Sequence, residues 1–200
     1  TDPAVVQAAK MMQDLYKRDF LPPTCIGDDF NVQSRQMGDG QCAVQLMGQW
    51  ALAIQAEVSE KKGELVPLMR FAPFPAVSGG KGGVLDAMGG GNGFVIGRNA
   101  SDEAVEFLEF FYRDSNVLRY FYIFPAVPTV PEVRVTVSEL NTVKEYLGTL
   151  EQYCLYPDQL FPKDIGILLN ETSARIMIGE ITAEEGSAIM EKAWTEYRSK

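Results

Sequence analysis

The chain of 200 residues contains no histidine. Without an imidazole it has no histidine-based catalytic dyad or triad, no histidine metal ligand and no histidine proton shuttle. It also has no apolar run long enough to span a membrane and no cluster of lysine and arginine. Acidic residues outnumber basic ones by 27 to 18, and the resulting net charge of −9 opposes binding to nucleic acid.

The three cysteines, Cys25, Cys42 and Cys154, allow at most one internal disulfide. A bond between Cys25 and Cys42 would add about 3 kcal/mol of stability and indicate an oxidising compartment. The alternative is a pair of buried free thiols, and the sequence leaves both open. Cys154 has no base nearby in the sequence, so we predict a buried thiol rather than a nucleophile.

Helical periodicity dominates the chain. The predicted helices cover residues 3–20, 30–37, 50–62, 101–112, 115–121, 138–152, 164–178 and 182–198. Strand-like runs lie between them at 42–47, 67–71, 84–88 and 93–96. Asp2 is placed to cap the first helix, Thr182 and Glu185 are spaced as a capping box, and Gly179 suits the left-handed position that ends a helix. Helices that separate short strands predict an α/β fold with incomplete sheets.

Two glycine-rich segments, 79–83 and 89–93, need backbone freedom. Neither matches the spacing of a phosphate-binding loop or a dinucleotide-binding turn. One interpretation is a tight turn between strands. The other is close approach of the backbone to a ligand at Gly90, Gly91 and Asn92, where the Asn92 amide offers a donor and an acceptor.

No arrangement of side chains predicts catalysis. Adjacent carboxylates occur at 28–29, 102–103 and 184–185, and the last two pairs lie in first turns of helices, where they face the helix dipole. No serine lies in a nucleophile elbow. We therefore predict a protein that is not an enzyme and holds neither a metal nor a cofactor.

Aromatic residues carry the remaining signal for binding. Trp50 follows a predicted strand at the start of a helix, and α/β proteins bind ligands at such edges. An exposed indole there stacks on a sugar ring or holds a cation, and the alternative is a core tryptophan. The aromatic segment 153–161 brackets Asp158 and Gln159, which fits a polyol pocket or an ordinary loop.

Several segments carry a family resemblance. Residues 37–50, MGDGQCAVQLMGQW, are similar to the pattern F-x-x-G-x-x-A-M-x-x-x-G-x-W. FAPFP at 71–75, GGGNGFVI at 89–96, AVEFLEFF at 104–111 and GEITAEE at 179–185 follow in order, with Gly186 in place of an expected alanine. In this order the chain resembles the carbohydrate-type solute-binding proteins of bacterial ABC importers. The resemblance runs through all 200 residues and covers the second half of the family's length.

The resemblance implies a type II fold like that of periplasmic binding proteins, with two α/β lobes that close on a sugar. Residues 1–64 and 125–200 would form most of a helix-rich C-terminal lobe, and 65–124 a segment of the N-terminal lobe. The first half of the family's length would lie outside these residues. Sheet edges in 65–124 would then be open to a second copy, as in a homodimer, or the region would be disordered.

The same resemblance implies a function and a site. Trp50 corresponds to the family's sugar-stacking tryptophan, the turn 89–92 lies near its cleft, and Asp158 and Gln159 occupy a segment where relatives contact sugar. The implied function is the extracytoplasmic sugar- or oligosaccharide-binding component of an ABC importer. Such a protein is a lipoprotein on the outer face of the membrane or is periplasmic, and its partner is a membrane permease.

Two other functions remain open at this stage. A solute-binding protein for a polyamine or a phosphate ester would share the same motifs. The absence of histidine, and of a tyrosine pair in a ligand context, argues against an iron complex. A hydrolase that uses Asp28 or Asp158 is the more distant alternative, and ligand affinity without a product would exclude it.

Overall fold

The computed structural model describes residues 2–90, 93–130 and 132–199, apart from the side chain of Asp158. Within these ranges the elements are, in chain order, α1 Pro3–Lys17, α2 Phe30–Gly38, α3 Ala51–Val58, a 3₁₀ turn Val66–Leu68, β1 Asp86–Gly89, α4 Asp102–Phe111, α5 Asp114–Ile123, α6 Ser138–Leu147, β2 Gln152–Leu155, α7 Pro157–Leu160, α8 Lys163–Met177 and α9 Ala183–Arg198. The protein is therefore a helix-rich α/β structure with a small sheet, which confirms the fold class in its coarse form.

The sheet joins two segments that are far apart in sequence. Strands β1 and β2 pair in parallel, with Asp86 opposite Gln152 and Gly89 opposite Leu155. The pairing extends one residue beyond the strand on the carboxyl side, where the Tyr156 N–H donates to the Gly89 carbonyl at 3.1 Å. The predicted strand at 84–88 is confirmed within two residues.

Three other predicted strands are wrong among the described residues. Segments 42–47 and 93–96 are not in a strand, and Val44 and Val95 are 83% and 94% exposed. Segment 67–71 begins in the 3₁₀ turn that contains Pro67, whose missing N–H disfavours a ladder. Apolar composition alone does not make a strand, because a strand also needs a neighbour for its backbone groups.

The predicted helix 138–152 extends beyond the helix that the structure shows. Helix α6 ends at Leu147 with Gly148 at its C-cap, and β2 follows almost at once. Cys154 lies in β2 and is exposed, so the prediction of a buried thiol is wrong. The cause is that β2 is exposed along its whole length.

Helices α1, α8 and α9 form one packed unit. Ile165, Ile176 and Ala183 are buried in it, and the Gln13 amide of α1 donates to the Ile176 carbonyl at 2.9 Å. At Gly186 of α9, an added Cβ would lie 2.8 Å from Cγ1 of Ile176. The missing side chain thus lets α8 and α9 approach closely.

A second unit forms where α2 crosses α3. Gly38 lies so close to α3 that an added Cβ would be 2.6 Å from the Gln55 carbonyl oxygen. Beside it the Ser59 hydroxyl donates to Asp39 at 2.7 Å, and this hydrogen bond is the main cause that lowers the pKa of Asp39. The crossing fixes α3, the helix that Trp50 precedes.

Helix α6 connects the sheet to the segment after α5. Leu140 and Val143 of α6 are buried, and the Lys144 ammonium donates to the carbonyls of Val130 and Val133 at 2.9 and 2.7 Å. The Tyr146 hydroxyl donates to the Val84 carbonyl at 2.6 Å, just before β1. The segment that leads into β1 is therefore bonded to α6, and β1 itself is paired with β2.

Helices α4 and α5 carry a mostly exposed aromatic surface. Phe94, Phe111 and Tyr120 form edge-to-face ring contacts at 5.4 Å between centroids. Outside this network Tyr122 and Ile123 are 70% and 80% exposed. This part of the chain is the one for which open edges and a homodimer were predicted.

The cysteines Cys25, Cys42 and Cys154 are free in the structure. Burial raises the pKa of the Cys25 and Cys42 thiols, although both side chains are only partly buried. Of the two alternatives for these residues, the structure shows free thiols rather than the disulfide. Among the described helices, none combines the length and apolarity required to cross a membrane.

The N-terminal cap of α9 agrees with the sequence prediction in detail. The Thr182 hydroxyl accepts from the Glu185 N–H at 3.1 Å, and Glu185 accepts in return from the Thr182 N–H at 2.8 Å. Gly179 has φ +79°, as expected for a residue that ends α8. Both caps depend only on local sequence.

We predict that Thr182→Ala lowers the free energy of unfolding by about 1 kcal/mol, because the cap of α9 loses its acceptor. Urea unfolding followed by circular dichroism measures the change. Thr195→Ala in the same helix is the matched control, since the Thr195 hydroxyl donates to the Glu191 carbonyl within the helix rather than capping it. Equal losses in the two variants would contradict a specific role for the cap.

Candidate functional site

The carboxyl edge of the small sheet gathers several of the residues that the sequence indicated. Gly90 follows β1, and Asp158 and Gln159 lie in α7, directly after β2. Because β1 and β2 are parallel, their carboxyl ends lie side by side. Pairing therefore brings residues about seventy positions apart into contact.

The two glycines at this edge are covered by side chains from the neighbouring strand and helix. An added Cβ on Gly89 would lie 2.5 Å from the Tyr153 hydroxyl oxygen, and one on Gly90 would lie 2.8 Å from Oε1 of Gln159. The Tyr153 hydroxyl also donates to the Gly90 carbonyl at 3.4 Å. Close backbone approach, one of the two interpretations of the glycines, is thus met here by the chain's own side chains.

The edge is open to solvent. Tyr153 is 53% exposed and Gln159 is exposed, whereas Gly89 beneath them is buried. A phenol ring beside a planar amide presents an apolar face together with hydrogen-bond donors and acceptors. Such a surface can bind a polar ring without reacting with it.

Trp50 lies at a different place in the fold, immediately before α3. The Ala51 N–H donates to the Gly48 carbonyl at 3.0 Å, which closes a tight turn around Trp50. Next to it the Gln49 side-chain oxygen accepts from the Val127 N–H at 3.0 Å. The turn is therefore tied to the connector that follows α5.

The reasoning that led to Trp50 was wrong in one step. Trp50 does begin a helix, but residues 42–47 are not a strand, so Trp50 does not lie at a sheet edge. Its indole is partly buried, and among the described residues it makes no ring contact with another aromatic. Trp194 is also only partly buried, but its ring packs on Phe161 and Tyr197.

The sequence candidates thus fall into separate groups. Gly90 and Gln159 are in contact, whereas no hydrogen bond or ring contact within the described part of the chain joins Trp50 to either. Gly91 and Asn92 lie outside the described residues. Asp158 has its backbone in α7, and its side chain is not described.

The structure separates Tyr153 from Phe161, two aromatic residues of the 153–161 segment. Tyr153 was grouped with Phe161 around the Asp158–Gln159 segment, yet Phe161 packs on Trp194 with 5.1 Å between ring centroids. Only the register of β1 with β2 places Tyr153 diagonally across from Gly89 on the same face. No local pattern in either segment carries this information.

A groove of about 560 Å³ runs between α3 and the end of α5. Its walls include Leu52, Ala56, Val66 and Phe124, with Glu57 and Lys62 as its charged residues. It lacks the several convergent polar groups that orient a small polar ligand. In the described part of the chain, no three acidic or cysteine side chains converge as a metal site would require.

A comparison with known families bears on these two regions. The sequence profile described as bacterial extracellular solute-binding protein matches residues 1–117. The chain belongs to this family. The match includes Trp50, Gly89 and Gly90, whereas Tyr153 and Gln159 lie beyond it. A search of curated proteins found no match.

Membership in the family has general consequences. Its members bind a solute outside the cytoplasm, in the periplasm or at the cell surface, and are generally not enzymes. Family membership also implies a membrane transporter as partner. The described geometry agrees with binding, because the open edge at Tyr153 and Gln159 offers an aromatic face beside hydrogen-bonding groups.

We predict that Gly89→Ala destabilises the protein by about 1 kcal/mol or more, because the new methyl group overlaps the Tyr153 ring. Gly89 has no positive φ, so alanine is compatible with its backbone and only space is at issue. Urea unfolding gives the free energy. Gly93→Ala is the control, since nothing lies within 4 Å of its added Cβ; a Gly89 variant as stable as this control would contradict the described contact.

Proposed function

We propose that this protein is the extracytoplasmic sugar- or oligosaccharide-binding component of an ABC importer. The observation that carries the proposal is Trp50, a partly exposed indole held in a closed turn before α3, with no ring contact to another aromatic among the described residues. It lies within the residues that match the family profile.

The proposed binding mode follows from the chemistry of these side chains. The apolar C–H face of a pyranose ring packs well on an indole face. The amide of Gln159 can donate to one sugar hydroxyl and accept from another, and the exposed Tyr153 adds a second ring. We assign ligand contacts to Trp50, the 90–92 turn, Asp158 and Gln159, and none of them acts as a catalyst.

We further propose that residues 1–64 and 125–200 belong mostly to one lobe of a type II binding protein, and that 65–124 belongs to the other. Described contacts that would cross between the two lobes include the β1–β2 pairing and the hydrogen bond from the Tyr146 hydroxyl to the Val84 carbonyl, whereas the hydrogen bond from Val127 to Gln49 would join two parts of the same lobe. Closure of the lobes on a sugar would then present a surface to the membrane permease. The protein would be a surface lipoprotein or periplasmic.

The main alternative is binding of a polyamine. A net charge of −9 and an indole face both favour an organic cation. A phosphate ester is opposed by the same negative charge. These alternatives predict different ligands for the same Trp50, so one ligand panel separates them.

We predict that a sugar raises the melting temperature of the protein and that Trp50→Ala removes most of this shift. Losing the stacked ring should weaken affinity roughly tenfold, since an aromatic contact contributes about 1 kcal/mol or more. Differential scanning fluorimetry with glucose, galactose, xylose, maltose, spermidine and glycerol 3-phosphate measures the shift.

Tyr122→Ala is the matched control for this panel, because Tyr122 is an aromatic residue that is 70% exposed on α5. It should leave the sugar shift unchanged. A shift with spermidine alone would replace the sugar by a polyamine. Sugar shifts that survive Trp50→Ala would contradict the assigned site, and turnover of any sugar would contradict a purely binding role.

A further inference from the structure

We propose that Gly48 is a specificity-determining positioning residue, which holds the Trp50 indole in one orientation and leaves a single face of it for a ligand. The ligand part of this inference rests on the proposed function. The positioning part rests only on described contacts and can be tested without any ligand.

The contact between Gly48 and Trp50 is made through the face of the indole. A Cβ added to Gly48 would lie within 2.5 Å of Cζ2 of Trp50 and closer still to Cη2 and Cζ3. Approach to the ring edge at Cη2 would leave its two neighbours distinctly farther away. Near-equal distances to three consecutive ring atoms therefore place Gly48 over the six-membered ring.

Glycine is needed at this position for space rather than for backbone conformation. The described glycines with positive φ are Gly40, Gly63, Gly79 and Gly179, and Gly48 is not one of them. An alanine could therefore adopt the backbone conformation of Gly48. Its methyl group, however, would occupy the volume of the indole.

The turn around Trp50 has little freedom to relieve such a clash. On one side, the buried Gln55 of α3 donates to the Gln45 side-chain oxygen at 2.6 Å. On the other side, Gln49 accepts from the Val127 N–H at 3.0 Å. Because both flanks are anchored, a methyl group at position 48 should displace the ring rather than the backbone.

This arrangement has a consequence for the class of ligand. With one face of its six-membered ring against Gly48, the indole can stack a ligand on the opposite face only. A site of this kind suits one flat pyranose face and does not enclose a ring between two aromatic surfaces. Removing the glycine should relax that selection as well as weaken binding.

The experiment uses Gly48→Ala, Trp50→Phe and their combination. A phenylalanine ring does not extend to the positions of Cζ2, Cη2 and Cζ3, so the double variant relieves the clash. Gly97→Ala is the matched control, because nothing lies within 4 Å of its added Cβ. The sequence has two tryptophans, so a Trp194→Phe background makes Trp50 the sole reporter of indole fluorescence.

We expect Gly48→Ala to shift the Trp50 emission maximum and to increase acrylamide quenching, since the displaced indole becomes more accessible to solvent. In urea unfolding followed by circular dichroism, Gly48→Ala should lower the midpoint with Trp50 present and have little effect beside Trp50→Phe. Gly97→Ala should change none of these signals. Unchanged emission and quenching, or an equal loss of midpoint in both backgrounds, would overturn the positioning role.

The effect of Gly48 on ligand affinity is measured separately, with the sugar that gives the largest shift of melting temperature in the panel. Gly48→Ala should weaken its affinity roughly tenfold, the loss expected for a displaced stacking ring. If fluorescence and coupling behave as expected but no sugar binds the unaltered protein, Gly48 still positions Trp50 and the proposed function fails. If sugar affinity is unchanged in Gly48→Ala, the role in specificity is overturned.

Discussion

The parallel pairing of β1 with β2 is the constraint on which the candidate sheet-edge site depends. It aligns Gly89 with Leu155 and thereby sets Tyr153 over one glycine and Gln159 over the next. Helix α6 supports the same arrangement from the side, because Tyr146 bonds to the backbone just before β1. Without this pairing, the phenol ring of Tyr153 and the amide of Gln159 would not lie side by side on one surface.

A second feature of the structure is that two glycines leave room for aromatic side chains. Gly48 accommodates an indole and Gly89 a phenol ring, and neither has a positive φ. At both positions a methyl group would meet an aromatic side chain that the proposed function uses. The absence of a side chain is therefore part of how the protein orients its binding groups.

Local signals were enough for much of the helical structure. Asp2 caps α1, and Thr182 with Glu185 caps α9, as their spacing predicted. Sheet structure was predicted less well: segment 42–47 has the composition of a strand but no partner, and β2 was not predicted as a strand. A cap satisfies its hydrogen bonds within a few residues, whereas a strand depends on a segment elsewhere in the chain.

The candidate binding residues show the same difference between what the sequence predicts and what the tertiary structure decides. The sequence by itself determined the helices and their caps, the residue types suited to a polar ring at Trp50 and Gln159, and the resemblance that the family match supports at its coarser level. Only the tertiary structure decided that Gln159 lies against Gly90, that Phe161 turns away to Trp194, and that the indole of Trp50 rests on Gly48. The physical reason is that strand register and the contacts of Gln159 and Phe161 are set by pairing and packing between distant segments. The contact of Trp50 with Gly48 is local, but it depends on the side-chain rotamer of the indole, which the residue types alone do not specify.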